Sequence, residues 1–440
     1  MLIRAGVLVM AVATTSAAQT ASAPGARNVV DGYVSLTGDT LPNVNGGAGA
    51  TELRARLFLE RAFAPSPRVR VFVSGWVDGL IANRGGAVRD AKASPHEAYV
   101  DLRAGRLDVR AGLATVVWGR LDEVQPSDVV NPLDVLRYLF EGRGEGRIPV
   151  PLVRGRWFFG EHAQIEAVWV PLFVRGRFDR LDEATSPFNL VNDVAICLQP
   201  DQCVRPLVGR DTPPRTLAGS QGGVRVSTTL GRVDWSVSAY RGTRGFGVYE
   251  PVLPVVLPGV LPGGGGSLPL VLPSIGSGLR ETFPRFTMIA SDVETTQGEW
   301  AFRGEIAAAW DEATQPPGAV LPLEGSSVDA GLGVERKAGD FQVSGTVLVR
   351  HRSADGFRDT TTSLVAGTER RFARETRIVR AFAAWNLAES AAFTRGILAW
   401  SLSDNLWVEG SLGWFFGEGS DTFARFHARD FLSLKLKRFF

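Results

Sequence analysis

Two sets of charged side chains stand in positions from which they could select solutes. The segment 117–134 carries the charged residues Arg120, Asp122, Glu123, Asp128 and Asp134. A second group consists of arginines in alternating segments, at Arg54, Arg56, Arg68, Arg70, Arg103 and Arg110. Opposed rows of charge across a narrow passage produce a transverse field that discriminates solutes by size and charge. We therefore expect these residues to form a constriction; the alternative, that they only pair with one another in a filled interior, stays open.

Residue sets for catalysis or metal binding are weak in this sequence. The four histidines are dispersed along the chain, at His96, His162, His351 and His427. A CxxC pair and a phosphate-binding glycine loop are both lacking. His351 lies near Ser353 and Asp355, but neighbours in sequence do not make a catalytic triad, which is defined by geometry. We predict that the protein is not an enzyme and has no cofactor or metal site.

The two cysteines are close together in a polar stretch. Cys197 and Cys203 lie among Pro, Asp and Gln residues, with no histidine nearby to complete a metal site. Cysteine pairs of this kind form disulfides in oxidising compartments. We predict a disulfide between them.

The N-terminus has the layout of a cleaved signal peptide. Arg4 supplies a positive charge, residues 5–13 form an apolar run, and Ser16-Ala17-Ala18 is a small-residue cleavage site. The apolar run is too short to cross a bilayer. We predict a signal peptide over residues 1–18, followed by an N-terminal periplasmic segment over residues 19–27.

Beyond residue 27 the sequence alternates between apolar and polar positions. In the segment 69–77, Val or Gly occupies every odd position, between mainly polar or aromatic residues. Successive side chains of a strand point to opposite faces, so each run of this kind has one apolar face and one polar face. Strands of about ten residues with this pattern are typical of transmembrane β-barrels, which must close because lipid offers no partners for unpaired backbone groups. We predict an all-β fold, an antiparallel outer-membrane barrel over residues 28–440.

The connections between these runs alternate in length. Short turns are predicted at 64–67, 105–106, 160–161, 231–232, 338–340 and 403–405. Longer segments separate them, at 37–50, 83–95, 118–149, 173–221, 244–282 and 312–324. Short periplasmic turns and long outer loops are the rule in outer-membrane barrels. The pattern predicts about eighteen strands, with sixteen as the alternative, and a loop at 118–149 that could fold into the lumen.

The C-terminus ends in an alternating run with an aromatic last residue. Leu432, Leu434, Leu436 and Phe440 share one face, opposite Ser433 and two lysines. Such an ending is similar to the signal that the barrel-assembly machinery recognises in outer-membrane proteins. We predict that Leu436 and Phe440 carry this signal, and that outer-membrane lipids and lipopolysaccharide surround the folded barrel.

The segment 95–172 resembles a family of porin-like outer-membrane barrels of unknown function. The similarity lies in the run from Arg110 to Trp118-Gly119-Arg120, in Val130-Asn131-Pro132-Leu133-Asp134 and in the strand start at 148–152. Ser127 or Asn131 is a candidate N-cap for a short helix over 135–140. The resemblance implies a porin-like role or the transport of lipids or other hydrophobic compounds.

Two functions remain open at this stage. The first is a channel or transporter that passes small or hydrophobic solutes, with a periplasmic or inner-membrane transport component as a candidate partner. The second is a structural or adhesin-like barrel whose outer loops bind a partner. The apolar, Pro- and Gly-rich segment 251–278 is either a disordered outer loop or an apolar lid. The net charge of +2 gives no basic field for nucleic acid.

Overall fold

The computed structural model describes residues 30–122, 124–177, 185–189, 196–199, 202–204, 208–252, 256–260, 267–271, 278–316, 321–419 and 421–440. The predicted signal peptide, the predicted periplasmic segment and Glu123 lie outside these ranges. The interpretations given for them above stay predictions.

Eighteen antiparallel strands form one closed sheet. In chain order they are β1 (Asp31–Leu41), β2 (Ala50–Ser66), β3 (Val69–Asn83), β4 (Ala87–Ala104), β5 (Leu107–Ala114), β6 (Val150–Phe159), β7 (Ala163–Val170), β8 (Gln221–Leu230), β9 (Val233–Thr243), β10 (Arg285–Gln297), β11 (Trp300–Thr314), β12 (Leu323–Ala338), β13 (Phe341–Ala354), β14 (Phe357–Phe372), β15 (Arg377–Asn386), β16 (Ala391–Ser403), β17 (Leu406–Phe416) and β18 (Phe431–Phe439). Each strand pairs with the next, and β18 pairs with β1. The predicted number of eighteen is confirmed, and the alternative of sixteen is wrong.

Alternate side chains along each strand face the outside and the lumen. On β3, Val77 and Ile81 are exposed by 50% and 59%, whereas the intervening Trp76, Asp78 and Leu80 are buried in the interior. The exposed residues are apolar because they face hydrocarbon, and the ionic residues face the enclosed side. The barrel is therefore of the outer-membrane type. Within the described ranges, no helix has both the length and the apolar character to span a membrane.

The predicted turns and loops follow the long and short rhythm with one clear exception. The segment 83–95 is not a long loop, because β3 continues to Asn83 and β4 begins at Ala87. The outward positions of β4 include Ala91 and Ala93, whose small side chains give too weak a hydropathy contrast to mark a strand. The outer connections after β13 and β15, at residues 355–356 and 387–390, are short as well. Residues 357–366, the weakest strand in the sequence, belong to the sixteen-residue β14.

Shorter elements lie in the outer loops. The helices are α1 (Val135–Glu141), α2 (Arg143–Gly146) and α3 (Thr422–Arg425), with single 3-10 turns at Asn45–Gly47 and Leu217–Gly219. Short strands outside the barrel occupy Ile196–Gln199, Gln202–Val204, Val208–Asp211, Val248–Val252, Val256–Val260, Ser267–Val271 and Gly278–Thr282. The first two pair with Cys197 opposite Cys203. The side chains of both cysteines lie outside the described part of the chain, so the disulfide stays a prediction.

The last residue of the chain closes the barrel. Phe440 and Gly32 exchange two backbone hydrogen bonds, each with an N···O distance of 3.1 Å. The Phe440 side chain is 54% exposed, and Leu436 points to the same outer face. Recognition of these residues by the assembly machinery stays a prediction.

Candidate functional site

The loop between β5 and β6, residues 115–149, folds back into the barrel; we call it the lumen loop. Leu121 at its inner end is fully buried against β12. A Cβ atom at Gly331 would lie 2.5 Å from Leu121 Cδ1, and one at Gly333 would lie 3.0 Å from Cδ2. The lumen loop therefore reaches the far wall, where these two glycines leave room for it.

The three residues before Leu121 attach the lumen loop to the wall. Trp118 donates a hydrogen bond from Nε1 to Glu166 Oε1 at 2.7 Å. Its ring packs where Gly223 of β8 lacks a side chain, since a Cβ there would lie 2.8 Å from the indole. Gly119 has φ +91°, a conformation that glycine adopts without strain, and a Cβ there would lie 2.7 Å from both carboxylate oxygens of Glu305. The Trp-Gly pair is thus explained by its contacts with three strands, β7, β8 and β11.

Glu305 of β11 is the main acceptor for the lumen loop. Its carboxylate accepts hydrogen bonds of 2.7 Å from both the backbone N–H and the hydroxyl of Ser127. It also accepts one of 3.1 Å from the backbone N–H of Arg120. The Glu305 residue is only 5% exposed. Hydrogen bonds to a buried carboxylate contribute about 1.5–3 kcal/mol each, so this residue holds the lumen loop firmly.

The charged side chains of the inner part of the lumen loop pair with the wall. Arg120 lies 2.8 Å from Asp292 and 3.0 Å from Glu294, both on β10. Asp122 accepts a hydrogen bond of 2.5 Å from Arg303 on β11. Desolvation at this position raises the pKa of the Asp122 carboxyl to about 6, although Arg303 acts in the opposite direction. The result is a row of alternating charges between the loop and the wall.

The neck of the lumen loop is closed by Asn131. Its Oδ1 accepts from the Val116 N–H at 2.8 Å, and its Nδ2 donates to Ala114 O at 3.3 Å and to Ile148 O at 2.9 Å. One amide therefore joins the two strands where the loop leaves and re-enters the sheet. Asp128, also predicted for the constriction, is instead buried against Arg147 at 2.8 Å.

The N-cap of α1 is Asp134, so the predicted caps Ser127 and Asn131 are wrong. Asp134 Oδ1 accepts from Arg137 N at 3.0 Å, and Oδ2 lies 2.9 Å from Arg177 Nε. A carboxylate at this position is favoured by the helix dipole. Ser127 and Asn131 precede the helix by several residues. Their side chains form hydrogen bonds elsewhere, Ser127 with Glu305 and Asn131 with the backbone at the neck of the lumen loop.

Helix α1 packs against the wall through buried cations. Arg137 lies over the Trp76 ring, 3.4 Å from its centroid, and 3.0 Å from Asp78 Oδ2. Arg395 of β16 donates to the backbone carbonyls of Leu139 and Phe140 at 2.7 and 3.0 Å. A cation at the C-terminal carbonyls of a helix is also favoured by the dipole.

The outer half of the lumen beside α1 is filled with aromatic side chains. Phe140 of α1 lies 4.3 Å from Phe431 and 5.7 Å from Phe188, measured between ring centroids. Phe393, Phe415 and Phe426 belong to the same buried cluster. On this side, aromatic packing between α1 and the wall therefore fills much of the space in the lumen.

The predicted arginines do not form the expected row opposite the acids of the lumen loop. Arg54 and Arg56 are buried beneath α1, where Arg56 lies 2.6 Å from Asp78 and 2.7 Å from Glu141. The rest lie nearer to the periplasmic turns, at Arg68, Arg70, Arg103 and Arg110. The inner end of the loop instead contacts β10–β12, whose charges are of both signs. A constriction formed by the predicted residues stays a prediction.

A polar basin of about 550 Å³ remains on the periplasmic side of the lumen loop. Its lining includes Arg120 and Asp122 from the loop. The wall contributes residues that the sequence analysis did not select, among them Arg154, Arg156, Glu166, Arg225, Glu294 and Arg303. Their signal in the sequence was present, since each occupies an inward position of an alternating strand.

The candidate for catalysis, His351, is exposed on β13, with Nδ1 2.8 Å from Thr360 Oγ1. Among the described residues, no group of three or more His, Cys, Asp or Glu side chains is arranged to hold a metal ion.

Comparisons with known proteins find similarity in structure but none in sequence. No family model and no curated protein sequence matches the chain. The structure is similar to OccK2 of Pseudomonas aeruginosa, with 9% identity and a TM-score of 0.48 over 93% of this chain and 97% of that one. It is similar to OccD3 of the same organism, with 9% identity and a TM-score of 0.44 over 96% and 93%. For Salmonella typhi OmpF in complex with daunomycin, the values are 8% and 0.42 over 94% and 98%.

These similarities concern the fold alone. The resemblance suggested by the Trp-Gly-Arg segment is not tested by them and stays a prediction. The closed sheet and its apolar outer face together make this protein an outer-membrane β-barrel.

Proposed function

We propose that the protein is an outer-membrane channel for small polar solutes, in which the lumen loop is a fixed constriction. The observation that carries this proposal is the attachment of the loop to Glu305, beside a basin lined by charged side chains. A solute in the basin would lie against the lumen loop and the inward side chains of β6, β7, β8, β10 and β11.

The character of the basin supports polar solutes over hydrophobic ones. Arginine and carboxylate side chains line it, and desolvating such groups against an apolar solute would be costly. The aromatic cluster that contains Phe140, Phe393 and Phe415 is packed against α1 instead of lining this basin. The segment 251–278, which suggested a hydrophobic cargo, lies largely outside the described ranges, so the lid stays a prediction.

Single-channel recording in planar bilayers tests the proposal. We expect the refolded wild-type barrel to conduct weakly, and a variant lacking residues 122–146 to conduct several times more strongly. Equal conductance and selectivity in the two proteins would exclude the constriction. Heat-dependent migration on SDS gels checks that both proteins have folded.

The same recording separates the channel from the structural or adhesin-like alternative. A filled barrel that only presents outer loops would be silent in the wild-type form. If the wild-type protein is folded and silent over a range of voltages, the channel proposal fails. Partner binding by the outer loops would then be the better explanation.

A further inference from the structure

We infer that the basin contains a binding site for the carboxylate or phosphate group of a small anionic solute, centred on Arg154 of β6. The inference rests on the proposed function, because the solute would reach the basin through the channel. It deepens that function by assigning a substrate class.

Arginines occupy three neighbouring inward positions around this site. Arg154 and Arg156 lie two residues apart on β6, and Arg110 of β5 is directly opposite Arg154 in the strand register. Like charges directly opposite each other destabilise a sheet. Such a cluster is tolerated only when each charge meets an acid or another anion.

Two of the three arginines have such a partner in the protein. Arg110 lies 2.7 Å from Asp101 Oδ1, and its guanidinium lies 3.7 Å from the Tyr99 ring centroid. Arg156 lies 3.3 Å from Asp108 Oδ2. These contacts neutralise both charges within the wall.

Arg154 is different. Its nearest acidic partner is Glu166, and the Nε···Oε2 distance of 3.9 Å is too long for a hydrogen bond. The other oxygen of Glu166 already accepts from Trp118. Arg154 forms no hydrogen bond with any residue of the described part of the chain, although its side chain is only 14% exposed.

Burying a cation that forms no hydrogen bonds costs free energy. An anion in the basin would accept the hydrogen bonds that Arg154 does not form with the wall. The planar guanidinium matches a carboxylate or phosphate group with two parallel hydrogen bonds. The other cations of the basin are already paired, Arg225 with Asp292 at 2.9 Å and Arg303 with Asp122 at 2.5 Å. Gln164 and Ser227 line the same basin and could donate to the remaining oxygens.

Titration calorimetry of the purified barrel with inorganic phosphate, and separately with acetate, tests the site. We expect Arg154→Gln to weaken binding about tenfold or more, because a charge-assisted pair contributes at least 1.4 kcal/mol, which corresponds to a factor of about ten. The matched control is Arg336→Gln at the periplasmic rim, where the side chain is exposed beside Glu299. Arg154→Lys retains the positive charge but lacks the planar guanidinium, so it should bind the anions with intermediate affinity.

The titrations with phosphate and with acetate show which chemical group the site binds. Binding of both anions supports a general oxyanion site, and binding of phosphate alone supports a phosphate-bearing solute. If neither binds, or if Arg154→Gln binds both as well as the wild type does, the inference is overturned. Thermal unfolding of each variant checks folding, and because Arg154 forms no hydrogen bond with the described residues, Arg154→Gln should keep a midpoint close to that of the wild type.

Reversal potentials in a KCl gradient separate this inference from the proposed function. In a conducting protein, Arg154→Gln should lower the preference for chloride over potassium, while Arg336→Gln should not. Conduction with an unchanged preference in Arg154→Gln overturns the site and leaves the channel intact. Binding of phosphate that depends on Arg154 in a protein that does not conduct supports the site and overturns the channel.

Discussion

The carboxylate of Glu305, on strand β11, accepts two hydrogen bonds of 2.7 Å from Ser127 of the lumen loop. The contact attaches the lumen loop, which connects β5 to β6, to the distant strand β11. In the variant Glu305→Gln the acceptor loses its charge and one of its two carbonyl-type oxygens. We expect the free energy of unfolding to fall by about 1–3 kcal/mol and the thermal midpoint to fall with it. Single-channel currents should become larger and noisier.

The matched control for this variant is Glu299→Gln. Glu299 is an exposed acid in the turn before β11, paired with Arg336 at 3.2 Å, and such surface pairs contribute little. If both variants change the current noise by the same amount, anchoring by Glu305 is not the cause.

A second prediction concerns the close approach of Gly119 to Glu305. An added Cβ would lie 2.7 Å from both carboxylate oxygens, on a residue with φ +91°. Gly119→Ala should therefore displace the lumen loop and cost about 1–3 kcal/mol. Gly345→Ala in β13 is the control, because a Cβ there meets no atom within 4 Å. Thermal unfolding in detergent measures both variants, and equal midpoints would contradict the proposed contact.

A third prediction concerns the pH dependence of ion selectivity. Asp122 lies on the lumen loop, outside the strands, and desolvation raises its pKa from the ordinary 3.8 to about 6. A raised pKa means that the folded protein binds the proton more readily, so the carboxyl becomes neutral as the pH falls through about 6. The ion pair with Arg303 is then lost, and the basin gains one positive charge relative to neutral pH.

The preference for chloride should therefore rise as the pH falls through about 6, with no loss of stability from this group. Reversal potentials between pH 4 and pH 8 measure the effect. The variant Asp122→Asn should show the low-pH preference throughout. A midpoint near pH 6 that persists in Asp122→Asn would assign the titration to another group.

The sequence predicts the barrel well because strand alternation is a local property. Val77 and Ile81 face outward and Asp78 faces inward because successive residues of one strand point to opposite faces of the sheet. The strand that was hardest to recognise, β14, has polar residues such as Thr360 to Thr362 at its outer end. The prediction of a long loop at 83–95 was wrong because the outward alanines of β4 give little hydropathy contrast between the two faces of the strand.

The site is predicted less completely because its contacts join residues that are distant in sequence. The charged character of the lumen loop is visible in the chain, but its partners are not. Leu121 meets Gly331 and Gly333 only because the loop crosses the lumen. No periodicity in the sequence identifies two glycines on β12 as the contact site of a leucine on a distant loop. The contacts of Asp122 with Arg303 and of Arg120 with β10 are hidden from the sequence for the same reason.

A fourth prediction concerns the two cysteines. The short strands of the outer loop pair Cys197 directly with Cys203, and residues opposite each other in an antiparallel pair are close enough for a disulfide. The purified protein should react with a maleimide only after reduction. The double variant with serine at both positions is the control for non-specific labelling. Labelling of two thiols in the unreduced protein would exclude the bond.

The last prediction concerns the attachment of α1 through Arg137. Its guanidinium lies 3.4 Å from the Trp76 centroid and 3.0 Å from Asp78, and the residue is only 1% exposed. Removing one partner of an isolated buried pair costs about 3–5 kcal/mol. Because Arg56 still contacts Asp78, the cost of removing Arg137 should lie below this range. We expect Arg137→Leu to lower the midpoint of guanidinium unfolding and to expose the segment 135–146 to added protease.

Arg137→Lys provides the conservative comparison. It keeps the charge beside Asp78 but loses the planar group that lies on the indole, so its effect should be smaller than that of Arg137→Leu. Arg56 also contacts Asp78, at 2.6 Å, and would still compensate part of that carboxylate in either variant. If protease cleaves the wild type and Arg137→Leu at equal rates, α1 is held by the aromatic cluster around Phe140 instead, and Arg137 has no role in anchoring it.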